Sequence, residues 1–432
     1  MPIRNKLKSE PCAIVRKLVE SGYEAYIVGG AVRDLLLGRE PKDYDIATSA
    51  SPEEIRAVFG RRNSRIIGRR FRLTHVFFKK DIYEVSTFRR CPTEDERRGR
   101  EDDRDGMIWR DNEFGTLEED AARRDFTVNA MYYDVIGDRG VIDFSGGQKD
   151  LKRKVVWAIG DPVQRFTEDP VRMLRAVKLC GQFDFHLSRE VSKALKAMRE
   201  KITLASSSRL FEELLKILCS SKAELVLSRL QAYGLLEYIW PVMSQSWEES
   251  EGVLARQLLS IRDREVSAGN LGNSRGLALA TPCLPFLMSA LNPQDMTAFW
   301  KRDANTDATA EKAIRLIFDG YALPKFFANR IRNICYLVPR LLARPVSPRA
   351  LSHIEYRHAR ALVAMLVEIF SWNDNILAVL PEINVAVPPL PAQSEDAIDD
   401  ADAGVIPAIP HKRRRRRPRG TRKPSAASSQ GA

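Results

Sequence analysis

Glu24-Ala25-Tyr26-Ile27-Val28-Gly29-Gly30-Ala31-Val32-Arg33-Asp34, followed shortly by Lys42-Asp43-Tyr44-Asp45-Ile46, decides how this chain is read. Residues 24–28 have the apolar run of a buried strand, Gly29-Gly30 a tight turn, and Val32, Leu35 and Leu36 the apolar stripe of a short helix closed by Gly38. Strand, glycine turn and helix start together form an anion cradle: glycine lets the backbone approach a phosphate, the first helical N–H groups face it, and Arg33 adds charge. In an extended segment residues two apart share a face, so Asp43 and Asp45 can converge on one cation site. Alone, Asp-x-Asp is common on solvated surfaces; beside an anion cradle it points to metal-assisted phosphoryl chemistry.

Working outward, Ser51-Pro52-Glu53-Glu54 is a capping box with proline at the first helical position, followed by Ile55, Val58 and Phe59 at helical spacing. Residues 72–79 and 82–88 predict a hairpin turning at Lys80-Asp81, with Glu84 in a strand beside that of Asp43 and therefore a candidate third carboxylate. From Arg89 to Asp105 charge dominates, which predicts a mobile loop. Arg123-Arg124-Asp125 leads into the apolar stretch 126–133. Glu168-Asp169-Pro170-Val171-Arg172 reads as a helix start, with Asp169 and Arg172 projecting from one helix face.

Five blocks carry a resemblance. Gly29-Gly30-x-Val32-Arg33-Asp34, Asp43-x-Asp45, Glu84 to Arg89, Arg123 to Thr127 and Glu168 to Arg172 occur in the order seen in class II template-independent nucleotidyltransferases, the family of bacterial poly(A) polymerases and tRNA CCA-adding enzymes. The resemblance implies an α/β nucleotidyltransferase head with a mixed sheet, then an all-α neck and body and a disordered basic tail. The corresponding spans are residues 1–150 for the head, 151–240 for a base-recognising neck, 241–380 for an RNA-binding body, and 381–432 for linker and tail. It implies that Asp43 and Asp45 hold two Mg²⁺ ions, with Glu84 or Asp125 as third carboxylate. Gly29, Gly30, Arg33 and Arg124 would bind the nucleotide, Asp125 its ribose, and Asp169 and Arg172 its base, with Glu168 orienting Arg172.

Residues 66–76, Ile66 to Val76, resemble a segment found in the poly(A) polymerases and not in their CCA-adding relatives, and those enzymes also end in an arginine-rich tail. Read from the residues alone, the segment is a basic turn entering a strand. With the resemblance, the expected reaction is polyadenylation of RNA 3′ ends from ATP, in cytoplasmic mRNA processing and decay and with RNA-decay proteins as possible partners. CCA addition to tRNA is the alternative. A non-catalytic RNA binder is disfavoured by the intact acids, and a transferase for small molecules or proteins by the basic tail.

Composition agrees. The net charge is +12 over 432 residues, but Lys412, Arg413 to Arg417, Arg419, Arg422 and Lys423 supply nine positive charges, leaving +3 for the rest. An RNA path on the folded part is therefore a local patch. Six scattered cysteines form no C-x-x-C pair and indicate neither zinc site nor disulfide framework. The first ten residues lack the apolar run of a secretory signal. Gly276 to Gln294 is uncharged, but Pro282, Pro285 and Pro293 predict a buried helix-turn-helix rather than a membrane span. Arg209 to Leu218 resembles the family's next block and reads as a packing helix. Residues 245–380 show helical periodicity without a chemical motif, and Pro381 to Pro410 reads as a linker.

Overall fold

A computed structural model of the chain describes residues 3–68, 72–79, 81–91, 113–292, 303–373 and 375–381. Contacts gather Met1–Pro381 into one unit and Glu382–Ala432 into another, and the described elements all belong to the first. Arg69 and Arg70, most of the charged segment after Arg89, and the linker and basic tail lie outside the described residues.

The chain opens with helix α1 (Ser9–Glu20), then strand β1 (Ala25–Val28), helix α2 (Gly30–Leu36), strand β2 (Asp45–Thr48) and helix α3 (Pro52–Phe59). Strands β3 (Ser64–Ile67), β4 (Leu73–Phe78), β5 (Asp81–Thr87), β6 (Met131–Tyr133) and β7 (Val141–Asp143) complete a seven-stranded sheet of order β3-β4-β5-β2-β1-β6-β7. The sheet is mixed: β2 and β5 run parallel, Ile46 opposite Val85, while the other neighbours are antiparallel. The β4–β5 pair is the expected hairpin, and α3 carries the expected capping box, with Ser51 and Glu54 exchanging hydrogen bonds.

Both faces of the sheet are covered. Ile27, Ile46 and Val85 pack with Ile14, Val15 and Leu18 of α1 and Ile55 of α3. Tyr26, Val28, Ala47 and Tyr132 point the other way and pack with Leu117 and Ala121 of helix α4 (Leu117–Arg123). Alternation along β2 therefore puts Asp45 on the face of Ala47, while the intervening Tyr44 and Ile46 are buried toward α1.

Beyond the sheet the chain is helical apart from the parallel pair β8 (Val155–Val156) and β9 (His186–Leu187). Helices α5 (Pro162–Glu168), α6 (Val171–Phe183), α7 (Ser207–Leu218) and α8 (Ala223–Ala232) precede a bundle of α9 (Ser250–Ser267), α10 (Arg275–Leu291), α11 (Ala304–Ile317), α12 (Lys325–Leu342) and α13 (Tyr356–Phe370). No helix among the described residues is long and apolar enough to cross a membrane.

Helix α10 corrects one expectation. It runs unbroken through Pro282 and Pro285 where a turn was predicted. An interior proline costs roughly 3 kcal/mol in an isolated helix. Here Ala278 to Pro285 is buried throughout, packed against α9, α11 and α12, so tertiary burial outweighs the lost backbone bonds.

Helix α9 is tied down by a buried ion pair. Arg262 (1% exposed) pairs with Asp263 and donates to the carbonyls of Leu218 and Ser220 at the end of α7. Asp263 in turn accepts from the N–H of Glu224 at the start of α8. The pair thus satisfies orphan backbone groups at two helix ends. Arg262→Leu strands Asp263 and those carbonyls, and is expected to cost about 3–5 kcal/mol in denaturant unfolding. A loss below about 1 kcal/mol, the scale of an exposed pair, would contradict that role.

Candidate active site

The sequence blocks converge on one cleft of ≈ 580 Å³, walled by the sheet and α2 on one side and by α5, α6 and α7 on the other. Gly29, Gly30, Arg33, Asp45, Arg124, Asp125, Asp169 and Arg172 all line it. Gly29 joins β1 to α2 with φ 73°, a backbone conformation that a side chain disfavours. A Cβ there would meet Arg124 Nη1 at 3.5 Å, an ordinary contact, so the demand for glycine is conformational rather than steric.

The acids form two separate groups. Asp45 is the first residue of β2 and Asp43 lies two residues before the strand, while the parallel register of β2 on β5 carries Asp45 beside Glu84 in the middle of β5; of these three acids only Asp45 lines the cleft. Asp45 opens to the cleft, yet its crowded walls strip solvent from the carboxylate; desolvation, then the charges of Glu84 and Asp43, push its pKa up to about 6 against a partial offset from Arg124. His75 Nε2 of β4 lies 3.8 Å from a carboxylate oxygen of Glu84, and this partner lowers the Glu84 pKa although partial desolvation opposes it. Among the described residues no three His, Cys, Asp or Glu side chains form a complete metal cage. Mg²⁺ commonly takes one or two carboxylates and completes its shell with water and substrate phosphates. A cation here also relieves the like-charge crowding at Asp45, so the residues fit the ion.

Asp125 sits in different company. It is buried, its Oδ1 accepts from the Phe126 N–H at 2.8 Å, and Arg175 Nη2 lies 2.8 Å from its Oδ2. Burial alone would raise its pKa, but Arg175, Arg172, that backbone bond and Arg124 overcome it and hold the group ionised. Oδ2 lies against Arg175 as a buried ion pair without an aligned hydrogen bond. The segment around it is pinned: Ile159 donates to the Asp125 carbonyl, Thr127 to that of Trp157, and Arg165 Nη2 to those of Arg123 and Arg124.

Arg124 is oriented by Asp120 and Tyr132. Its Nη2 donates to Asp120 Oδ2 at 2.9 Å, and the Tyr132 hydroxyl donates to the same oxygen at 2.6 Å. Arg33 is more heavily committed than the sequence implies: it donates to Asp34 and to Asn129 Oδ1 and stacks 4.1 Å from the Phe183 ring centroid. It brings charge to the cleft while its hydrogen bonds serve to fix α2.

Asp169 and Arg172 line the same wall, but not from one helix. Asp169 is extended (φ −149°) between α5 and α6, because proline at 170 disfavours helical geometry in the residue before it. Its Oδ2 accepts from Arg209 of α7 at 2.8 Å. Arg172 donates to Glu168 Oε2 at 3.1 Å, an oxygen it shares with Arg165. Sequence reading missed Asp120, Arg165, Arg175 and Arg209. Asp120 stands four before Arg124 and Arg165 three before Glu168, helical spacings that carried a usable signal; Arg175 and Arg209 meet Asp125 and Asp169 only through tertiary packing.

Comparison with known proteins fits this geometry. Residues 25–157 match the family described as "Poly A polymerase head domain", and residues 184–246 the one described as "Probable RNA and SrmB- binding site of polymerase A". Poly(A) polymerase I of Haemophilus influenzae is 38% identical over 364 residues, covering 82% of this chain and 80% of that protein. The chain belongs to the bacterial poly(A) polymerase family. Within the wider poly(A) polymerase and CCA-adding group, the CCA-adding enzyme of Bacillus licheniformis is 40% identical, but over 214 residues that span 49% of this chain and 50% of the enzyme. The crystal structure of the Bacillus stearothermophilus CCA-adding enzyme in complex with CTP superposes with a TM-score of 0.61 at 25% identity, covering 86% of this chain and 82% of that one. The poly(A) polymerase family thus shares with CCA-adding enzymes the nucleotidyltransferase fold seen here, a mixed-sheet head followed by helices.

Proposed function

We propose that this enzyme extends RNA 3′ ends without a template, transferring AMP from ATP to the terminal 3′-hydroxyl and releasing pyrophosphate. The observation that carries the reading is a single cleft lined both by Asp45 of the sheet, with Glu84 and Asp43 near enough to act on its charge, and by the guanidinium-rich wall around Asp125.

Asp43 and Asp45 would hold two Mg²⁺ ions, with Glu84 as a third carboxylate that adds its charge beside Asp45 rather than closing a cage; the ions, when bound, would supply charge neutralisation and a more acidic 3′-hydroxyl. The chain's own groups supply position. The Gly29-Gly30 turn admits the triphosphate close to the backbone, with Arg33 and Arg124 adding charge. Asp125 accepts from the ribose hydroxyls. Asp169 and Arg172, steadied by Arg209 and Glu168, read the adenine edge. Most of the acceleration then comes from alignment and electrostatics, with no covalent intermediate on the protein.

On this reading residues 1–150 are the catalytic head, 151–240 the base-reading neck, 241–380 an RNA-binding body, and 381–432 a linker and basic tail. The setting is cytoplasmic mRNA processing and decay, with RNA-decay proteins as further partners.

The likeness to a CTP-bound CCA-adding enzyme supports the second reading, CCA addition to tRNA. Incubation with ATP or CTP and either oligoadenylate or tRNA lacking its CCA end separates the two. The expected outcome is long ATP-dependent extension of oligoadenylate and little CTP incorporation. Addition from CTP and ATP that stops after three nucleotides on tRNA would replace the first reading with the second.

A further inference from the structure

Helix α6 serves two cavities. Arg172, Arg175, Lys178 and Gln182 line the cleft, whereas Cys180 and the residue that ends the helix, Asp184, line a second cavity of ≈ 360 Å³. Helical residues two apart point about 200° from one another, so Cys180 faces away from Lys178 and Gln182. No residue lines both cavities.

Three helix ends meet around this second cavity. The short helix Gly147–Arg153 stops at Lys154 and α6 at Asp184, both in the left-handed conformation (φ 57°), and the strands that follow, β8 and β9, pair in parallel with Val155 opposite His186. Lys154 and Asp184 are thereby held side by side, Nζ lying 3.6 Å from Oδ2. Helix α8 brings Arg229 from its last turn and Tyr233 from its cap. Gly181 of α6 admits α8 closely, since a Cβ there would meet Val226 Cγ2 at 2.6 Å.

The cavity has an apolar floor and a basic rim. Phe185 and Cys180 are buried, and burial pushes the Cys180 thiol up to about 12, so it brings no negative charge. The lining sets Arg153, Lys154 and Arg229, with His186, against one carboxylate, Asp184, which Lys154 already engages. Arg153 and Arg229 have no ion-pair partner among the described residues. A cation at each helix end complements the helix dipole. That role does not call for an open cavity between the ends, nor for one whose volume falls within the range of small-molecule sites.

We infer that this cavity is a second phosphate site and takes a nucleotide unit, its phosphate held by the guanidinium forks of Arg153 and Arg229 and its base lying against Tyr233 and Phe185. Planar guanidinium groups match phosphate oxygens two at a time, and an aromatic face accepts any base. A free nucleotide and one residue of an RNA strand present this same chemistry. The inference stands apart from the RNA-extension reading, because no residue assigned to catalysis takes part.

The test uses the full-length protein, with equilibrium dialysis of labelled AMP and the fluorescence anisotropy of a labelled oligoadenylate across a salt series. Wild type is compared with Arg153→Gln combined with Arg229→Gln, and with Arg229→Lys. If a free nucleotide is the occupant, the double variant should bind one AMP fewer per chain with its oligoadenylate affinity unchanged. If an RNA residue is the occupant, the double variant should instead lower the slope of log affinity against log salt by about one to two. Arg229→Lys, which keeps the charge, should preserve most of either effect. Unchanged AMP stoichiometry together with an unchanged salt slope, in a double variant with wild-type melting, would overturn the inference and leave the arginines as helix-end cations. Should the double variant fail to fold, Arg229→Gln alone decides by the same two measurements.

Discussion

Asp45→Asn is expected to abolish AMP transfer, slowing primer extension by on the order of 10³-fold or more, while leaving the fold intact. The substitution keeps the side chain's size but removes the charge that would hold the cation. It also removes a repulsion. The folded pKa of about 6 stands above the ordinary value of 3.8, so the protonated carboxyl favours the native state at low pH, and that contribution is lost as pH rises through 6. Without divalent cations at neutral pH, the variant should therefore melt at or above the wild-type temperature. Adding Mg²⁺ should stabilise the wild type more than the variant, and this advantage should weaken as pH falls through 6, because the ion must then displace a proton. Melting curves with and without Mg²⁺ across pH, beside an extension assay, measure both effects. Persistent extension by the Asn variant would remove Asp45 from the chemistry.

Asp125→Asn should instead change which sugar is accepted. A site built to hydrogen-bond a substrate hydroxyl rejects an analogue lacking it by as much as ~10⁴-fold, since its own buried acceptor is left unpaired. The variant keeps the shape but loses the ionic hold of Arg175 at 2.8 Å and presents an amide where an acceptor is needed. The expected result is a fall of about 10²-fold or more in the ratio of kcat/KM for ATP over dATP, measured by single-nucleotide addition. Loss of activity with that ratio unchanged would instead give Asp125 the cation-binding role here assigned to Glu84, and matching changes in Glu84→Gln would identify the third carboxylate.

Much of the head was legible because its signals are local. The capping box at Ser51, the Gly29 turn and the β4–β5 hairpin each depend on a few adjacent residues and on backbone geometry. The site's supporting groups were less so. Arg165 and Arg209 acquire their partners, the carbonyls of residues 123–124 and the carboxylate of Asp169, only when separate helices dock. Asp169 leaves the helix because proline at 170 outweighs the pattern around it, and α10 continues through two prolines because its surroundings bury it on every side. The place of α7 in the cleft wall was hidden for another reason: an amphipathic pattern identifies the face that is buried, but says nothing of what its polar face meets.

The parallel pairing of β2 with β5 has a kinetic consequence. Asp45 and Glu84 become neighbours only after the chain has passed through α3, β3 and β4 and returned, so the contact that crowds the two charges closes a long loop. Long-range closures of this kind are slow steps in folding, and here the closure brings like charges together. A divalent cation bound beside the assembled β2–β5 pair would screen that repulsion. Refolding of the head should accordingly be slower in chelator than in Mg²⁺, with the difference vanishing when Asp45 is neutralised.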